Sequence, residues 1–121
     1  MKIYYAHHLW KYKTDIEHFE LRIIKEYFDN CEIFNPSTDI NQNLTTAEIM
    51  SECLYQVINS NVLVFSTISG IVGKGVVSEV NTALGNKKPV YMIINDKIKR
   101  IRKFRYKIID RNNYVYAIVR R

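Results

Sequence analysis

The sequence predicts an α/β protein in three layers, with a mainly parallel sheet of about five strands and helices on both faces. Three observations predict it. Over residues 2–95 the apolar segments alternate in type, β-α-β-α-β-α-β, the order that builds parallel sheets through right-handed crossovers. Two of the strand segments, NVLVFS at 61–66 and PVYMIIN at 89–95, are unbroken apolar runs, as strands covered on both faces require. The chain has 121 residues, 47% of them apolar and 25% charged, which suits one globular domain over residues 1–121.

The elements follow in order. Residues 2–6 are rich in β-formers and predict the first strand. Thr14 and Glu17 have the spacing of a capping box, which satisfies free N–H groups where a helix begins. Ile16, Phe19, Ile23, Ile24, Tyr27 and Phe28 then recur at helical spacing, so a helix is predicted over about 14–28 with that stripe inward. Residues 31–35 read as a short strand stopped by Pro36, and 36–44 as a polar loop. Thr45 and Glu48 form a second capping box. Behind it Ile49, Met50, Cys53, Leu54, Val57 and Ile58 mark a helix over about 46–59. After the strand at 61–66 comes a glycine-bearing loop, 67–75. A helix follows over 76–84, with Gly85 as its C-terminal stop, and then the strand at 89–95. The end of the chain reads as a hairpin around 110–113 or as partly helical over 97–107, with one strand expected at 114–119.

Composition excludes several classes. No apolar run approaches the roughly 18–20 residues that cross a bilayer, and no secretory signal pattern opens the chain. The expected setting is cytoplasmic, with Cys31 and Cys53 as reduced core thiols. Two cysteines without ligand spacing predict neither a disulfide scaffold nor a metal site, and no cofactor is expected. Charge is uneven. Residues 1–95 carry 8 basic and 10 acidic side chains, whereas residues 96–121 carry 10 basic and 2 acidic, within a formal net charge of +6. Such a segment is either a solvated or subunit-facing surface or a phosphate-binding one.

In open α/β sheets ligands bind beyond the carboxyl ends of the strands. That rule selects the loops at 6–13, 35–44 and 66–75 and the chain from 95 onward. The first loop carries His7, His8, Trp10 and Tyr12, which suit a flat heterocycle or a sugar and can equally be loop-filling residues. The third, with Gly70, Gly73 and Gly75, is neither a P-loop nor a dinucleotide fingerprint. It leads into a helix whose free N–H groups favour anions. Glu79 is placed in the first turn of that helix, where the dipole favours an ionised carboxylate. A carboxylate aimed into the crevice can attack an anomeric carbon or stabilise an oxocarbenium-like transition state; otherwise it is a helix-dipole charge without chemistry.

The segments KIYYA at 2–6, Asn35-Pro36, SNVLVF at 60–65, GKGVVSEVNTAL at 73–84 and Lys88-Pro89-Val90 together resemble the nucleoside 2-deoxyribosyltransferase-like superfamily. The resemblance covers about residues 2–95, and the basic segment 96–121 lies outside it. It implies a flavodoxin-like or Rossmann-like fold and chemistry at an N-glycosidic bond. By the resemblance Glu79 is the nucleophile, and Tyr4 or Tyr5 orients it; alternation puts those two tyrosines on opposite faces and leaves the choice open. The substrate is a nucleoside or nucleotide held by Tyr4, Asn35, Asn61, Ser66, Gly73 and Gly75, and the protein is a homodimer or higher homo-oligomer. Two positions depart from the family. Asn61 stands where an aspartate is usual, and Gly70, Ile71 and Val72 stand where an acid is usual. Those acids hold sugar hydroxyls and protonate the leaving base, a step that contributes about 10²–10⁴-fold. His7, above all, and also His8 or Asp39 are the candidates to replace them, His7 because imidazole titrates near neutral pH. The function expected is therefore a hydrolase or transferase at nucleoside N-glycosidic bonds, with catalytic Glu79, Tyr5 and His7. The alternative is a non-catalytic nucleotide-binding module. A third reading takes the basic segment as a nucleic-acid contact in which Phe104, Tyr106, Tyr114 and Tyr116 stack on bases.

Overall fold

A computed structural model describes residues 1–119. Arg120 and Arg121, which close both the basic segment and the predicted 1–121 domain, lie outside the described residues. The main sheet is built from β1 (Lys2–Ala6), β2 (Glu32–Phe34), β3 (Val62–Phe65), β5 (Val90–Ile94) and β6 (Lys97–Ile101). Their spatial order is β2-β1-β3-β5-β6. The first four strands are parallel and β6 joins the edge antiparallel to β5. This is the three-layer flavodoxin-like arrangement.

The chain steps from β1 to β2 in one direction and from β2 to β3 to β5 in the other. Right-handed crossovers therefore place α1 (Asp15–Tyr27) on one face and α3 (Thr46–Ile58) and α4 (Lys74–Gly85) on the opposite one. Side chains sort accordingly. Tyr4, Ala6, Leu63, Phe65, Val90 and Met92 meet Cys53 and Val57 of α3 and Val76, Val80 and Ala83 of α4. Ile3, Tyr5, Val62, Val64 and Ile93 meet Ile24 of α1. Each fully buried aliphatic or aromatic side chain here contributes about 1.5–3 kcal/mol of transfer free energy.

Both predicted N-terminal caps form, but the box at Thr14 is only half made, because the Glu17 side chain turns to His7 and the Lys13 N–H. The Thr14 hydroxyl accepts from the Glu17 N–H, and Thr45 and Glu48 form a complete reciprocal box. Other expectations are corrected. The predicted loop at 36–44 contains a short helix, α2 (Pro36–Asp39), capped by the Asn35 side chain. The predicted loop at 67–75 contains β4 (Ile71–Gly73). Helix α4 begins at Lys74 rather than Val76, which puts Glu79 beyond its first turn. It also runs through Gly85 to a cap at Asn86. The left-handed conformation expected of Gly85 falls on Lys87, at φ 58°. On α1 the inward face is Glu17, Glu20 and Ile24, while Ile16, Phe19 and Tyr27 of the predicted stripe are exposed.

From 97 to 119 the described residues form strands joined by turns, with no helix. The fifth strand of the main sheet is β6, not residues 114–119. Those residues contribute β8 (Val115–Ile118), which pairs with β7 (Tyr106–Asp110) in a bulged hairpin and with β4, giving a second antiparallel sheet ordered β4-β8-β7. Phe104 ties this sheet to the main core, its ring edge-on to Phe65 at 5.5 Å between centroids. No helix among the described residues is long and apolar enough to cross a membrane.

Candidate functional site

A 2-1-3-5-6 strand order reverses direction between β1 and β3, and the carboxyl end of that pair is where such sheets form a crevice. Strand β1 delivers Tyr4 to one face of the sheet there and Tyr5 to the other. Two buried polar clusters result, one on each face.

The first cluster is Tyr4, Glu79 and Cys53. The Tyr4 hydroxyl donates to Glu79 Oε2 at 2.6 Å. Tyr4 is fully buried and Glu79 is 6% exposed. Burial pushes the Glu79 carboxyl up to about 7, against the Tyr4 hydroxyl and the Cys53 thiol, which favour its ionised form. Burial and then the charge of Glu79 push the Cys53 thiol up to about 12 and hold the Tyr4 phenol far above its ordinary range. Tyr4 is further held by Phe34, stacked at 5.6 Å. Tyr12 lies alongside: after burial, the charges of Glu79, Cys53 and Glu17 raise its phenol pKa.

The second cluster is larger, and it is the part that sequence reasoning missed. Glu20 accepts from the Tyr5 hydroxyl at 2.5 Å, from Ser66 Oγ at 2.7 Å and from Lys11 Nζ at 2.9 Å. Lys11 uses its remaining donors on Ser66 Oγ and the Thr67 carbonyl. Beside it His7 Nε2 meets Glu17 Oε2 at 2.6 Å, Nδ1 faces the Tyr5 carbonyl at 3.2 Å, and the ring stacks on Tyr5 at 3.8 Å. Burial lowers the His7 pKa, while Glu17 and the Tyr5 carbonyl favour the charged ring. The Glu17 carboxyl sits below its ordinary value: burial opposes ionisation, but His7 and the Lys13 N–H outweigh it. Buried carboxylates need this much partnering to be tolerated. A sequence signal existed. Glu17, Glu20 and Ile24 share one helical face, with Lys11 and His7 just upstream, but two glutamates on a stripe read as its solvent edge.

The predicted site residues therefore divide. Tyr4 and Glu79 come together, and Tyr4 is the tyrosine on the carboxylate. Tyr5, His7 and Ser66 lie across the sheet, bound to Glu20, Glu17 and Lys11. That removes Tyr5 and His7 as direct partners of Glu79. Asn35 is buried at the carboxyl end of β2, its Oδ1 accepting from the Ser37 N–H at 3.0 Å. Asn61 is at the opposite edge of the sheet, at the amino end of β3, where its Oδ1 accepts from the Lys2 N–H at 2.7 Å, so it cannot hold a ligand beside Glu79. Gly73 is the N-cap of α4, and a Cβ there would press on His8 Cδ2 at 3.2 Å. Gly75 sits one residue into the helix, facing the Met50 methyl.

His8 is the loop histidine left accessible. Its Nδ1 accepts from the Trp10 N–H at 3.1 Å, which leaves Nε2 to carry the proton of the neutral ring. Burial and the Lys11 charge lower its pKa. Asp39 is committed to the Asn35 N–H at 2.8 Å. One buried polar atom among the described residues has no hydrogen-bond partner, Ser37 Oγ, and it neighbours Glu17. The chain matches no protein-family model and no curated protein.

Proposed function

We propose that the protein cleaves or transfers at the N-glycosidic bond of a nucleoside or nucleotide, with Glu79 as the nucleophile, after the nucleoside 2-deoxyribosyltransferase-like pattern. The observation that carries this reading is the 2.6 Å hydrogen bond from the Tyr4 hydroxyl to Glu79, at the carboxyl end of the strand pair where the sheet order reverses. A positioned carboxylate in a largely water-free setting can attack an anomeric carbon: the new C–O bond forms as the C–N bond to the base breaks, and the base leaves with a proton. Water or a second base then takes the sugar and frees Glu79. Tyr4 orients the attacking oxygen. His8, with its proton on Nε2 beside the start of α4, donates a hydrogen bond to the leaving base in this scheme, and the proton the base takes up comes from water; His7 and Asp39 are already engaged. A homodimer accompanies the reading, since Ile16, Phe19 and Tyr27 leave an apolar stripe exposed along α1.

The test is release of free base from a panel of nucleosides, their monophosphates and NAD, followed by chromatography. Wild type is expected to release base with a rate that rises through pH 7 as Glu79 ionises. Glu79→Gln abolishes release. Tyr4→Phe slows it about 10–100-fold, the worth of a hydrogen bond to a charged group. Asn61 and the Gly70, Ile71 and Val72 stretch, standing where the family carries acids, favour the alternative, a nucleotide-binding module. Thermal stabilisation by an unphosphorylated nucleoside, lost in Glu79→Gln, with no base release from any member of the panel would establish that and end the catalytic reading.

A further inference from the structure

The basic segment builds a second concave site. Beyond the carboxyl end of β5 the chain turns into β6 and crosses to the β7–β8 hairpin, enclosing a crevice of about 530 Å³. Its floor is apolar: Met92, Ile94, Ile101, Phe104 and Ile118. Its rim carries Lys99, Arg102, Lys103 and Arg105, while Arg100, which also borders it, pairs with Tyr91 and turns to the other face of the sheet. Among the described residues the ion pairs are His7–Glu17 and Lys11–Glu20, so none of these four cations has a carboxylate partner there. Concentrating four like charges around one low-dielectric depression raises the local potential, and an anion that enters relieves it.

We propose that this crevice binds a phosphorylated small molecule with a flat or apolar body, of the nucleoside di- or triphosphate class. Charge sets the phosphates, because guanidinium groups pair with phosphate oxygens through two parallel N–H donors. Four cations exceed what one monoanion would balance. The floor sets the body, because an inorganic polyphosphate would leave it empty. Volume sets the size: about 530 Å³ lies within the range of roughly 300–1,000 Å³ typical of small-molecule sites. A nucleic-acid strand fits less well. Strand binding relies on aromatic faces open to successive bases. Here Phe104 stands edge-on to Phe65, while Tyr106 leans on Phe104 and meets Tyr116 edge-on at 5.6 Å. Those rings are engaged with one another. The proposal is independent of any chemistry at Glu79.

The experiment is calorimetric titration of the full chain with adenosine triphosphate, adenosine, tripolyphosphate and a dT12 oligonucleotide at low and physiological salt. Expected is triphosphate binding that weakens as salt rises, with adenosine and tripolyphosphate each at least about tenfold weaker. Lys25→Ala, an exposed cation on α1 outside the crevice, binds the triphosphate like wild type. Arg102→Ala with Arg105→Ala, both at exposed positions, weakens it at least about tenfold, the loss of one to two charge-assisted hydrogen bonds. Lys103→Glu does the same by charge reversal. The proposal is overturned by no triphosphate binding at millimolar concentration, by binding indifferent to all three substitutions, by tripolyphosphate binding as well as the nucleotide, or by the oligonucleotide binding more tightly than the nucleotide. Base release is read on Glu79→Gln and crevice binding on Arg102, Lys103 and Arg105, so failure of either reading is distinguishable from failure of the other.

Discussion

Glu79 makes stability depend on pH in a direction opposite to that of most carboxylates. Its folded pKa of about 7 stands above the ordinary 4.5. Below pH 4.5 both folded and unfolded forms hold the proton and nothing is lost. Between 4.5 and 7 the folded state keeps a proton that the unfolded chain releases, so stability falls as pH rises, and the cost is complete above 7 at about 3 kcal/mol. Glu79→Gln removes it. Urea midpoints taken from pH 4.5 to 8 are expected to show the variant gaining on wild type across that window; a constant difference would refute the buried, raised carboxyl. On the other face, Lys11→Met strips Glu20 of its cation at a site 6% exposed, and a loss of about 3–5 kcal/mol is expected by thermal or urea unfolding. That the chain carries Tyr4 and Tyr5 on opposite faces was legible from strand alternation. Which of them meets Glu79 was not, because Ile3, Tyr4, Tyr5 and Ala6 are all fully buried and a strand covered on both sides offers no polar-apolar contrast to orient it.

At the scale of elements, helix starts were readable and helix ends less so. Thr14 and Thr45 cap through side chains only three residues away, a local geometry that sequence spacing specifies. The end of α4 illustrates the converse. Its glycine, Gly85, lies inside the helix with open space around the position of a Cβ, while the left-handed turn falls on Lys87 at φ 58°. Two substitutions are therefore expected to stabilise the protein. Gly85→Ala adds about 0.5–1 kcal/mol through helix propensity, and Lys87→Gly adds about 1 kcal/mol by relieving left-handed strain. Thermal melts of the single and double variants check both, and a loss at either position would contradict the observed end of α4. The stripe on α1 was misread by one residue for a related reason. Hydrophobic periodicity marks an inward face only where that face is apolar, and here it carries Glu17 and Glu20. The strands of the basic segment were ambiguous because β7, with Tyr106, Ile108 and Ile109 exposed, alternates weakly. It is paired on one side by β8 and is free on the other.

For the whole molecule, charge is the property the fold concentrates. The positive charge of residues 97–111 is gathered along β6 and the hairpin, where among the described residues no carboxylate pairs with it. Self-repulsion among those cations is screened by salt over a Debye length of about 8 Å at physiological ionic strength. Stability is expected to rise from 10 mM to 150 mM sodium chloride, and a nucleoside triphosphate at low salt is expected to exceed the effect of chloride at equal ionic strength. Differential scanning fluorimetry at fixed pH checks it. A melting temperature that falls with salt would mean the basic segment is compensated by carboxylates after all.

The sequence by itself determined the order and type of the seven main elements over residues 2–95, without α2 and β4, together with the side-chain caps and the loops at the carboxyl ends of the strands. These depend on short-range spacing and on the one-way logic of right-handed crossovers. Only the tertiary structure decided which polar groups are buried and with whom. Tyr4 reaches Glu79 across 75 positions, and Ser66 reaches Glu20 across 46. Burying a carboxylate is tolerable only where donors from distant segments arrive together, and nothing in the local pattern around a glutamate records that arrival. The same holds for Asn61, which lies at the far edge of the sheet from the candidate site. Its neighbours along the chain are a strand, but what it touches is the start of another.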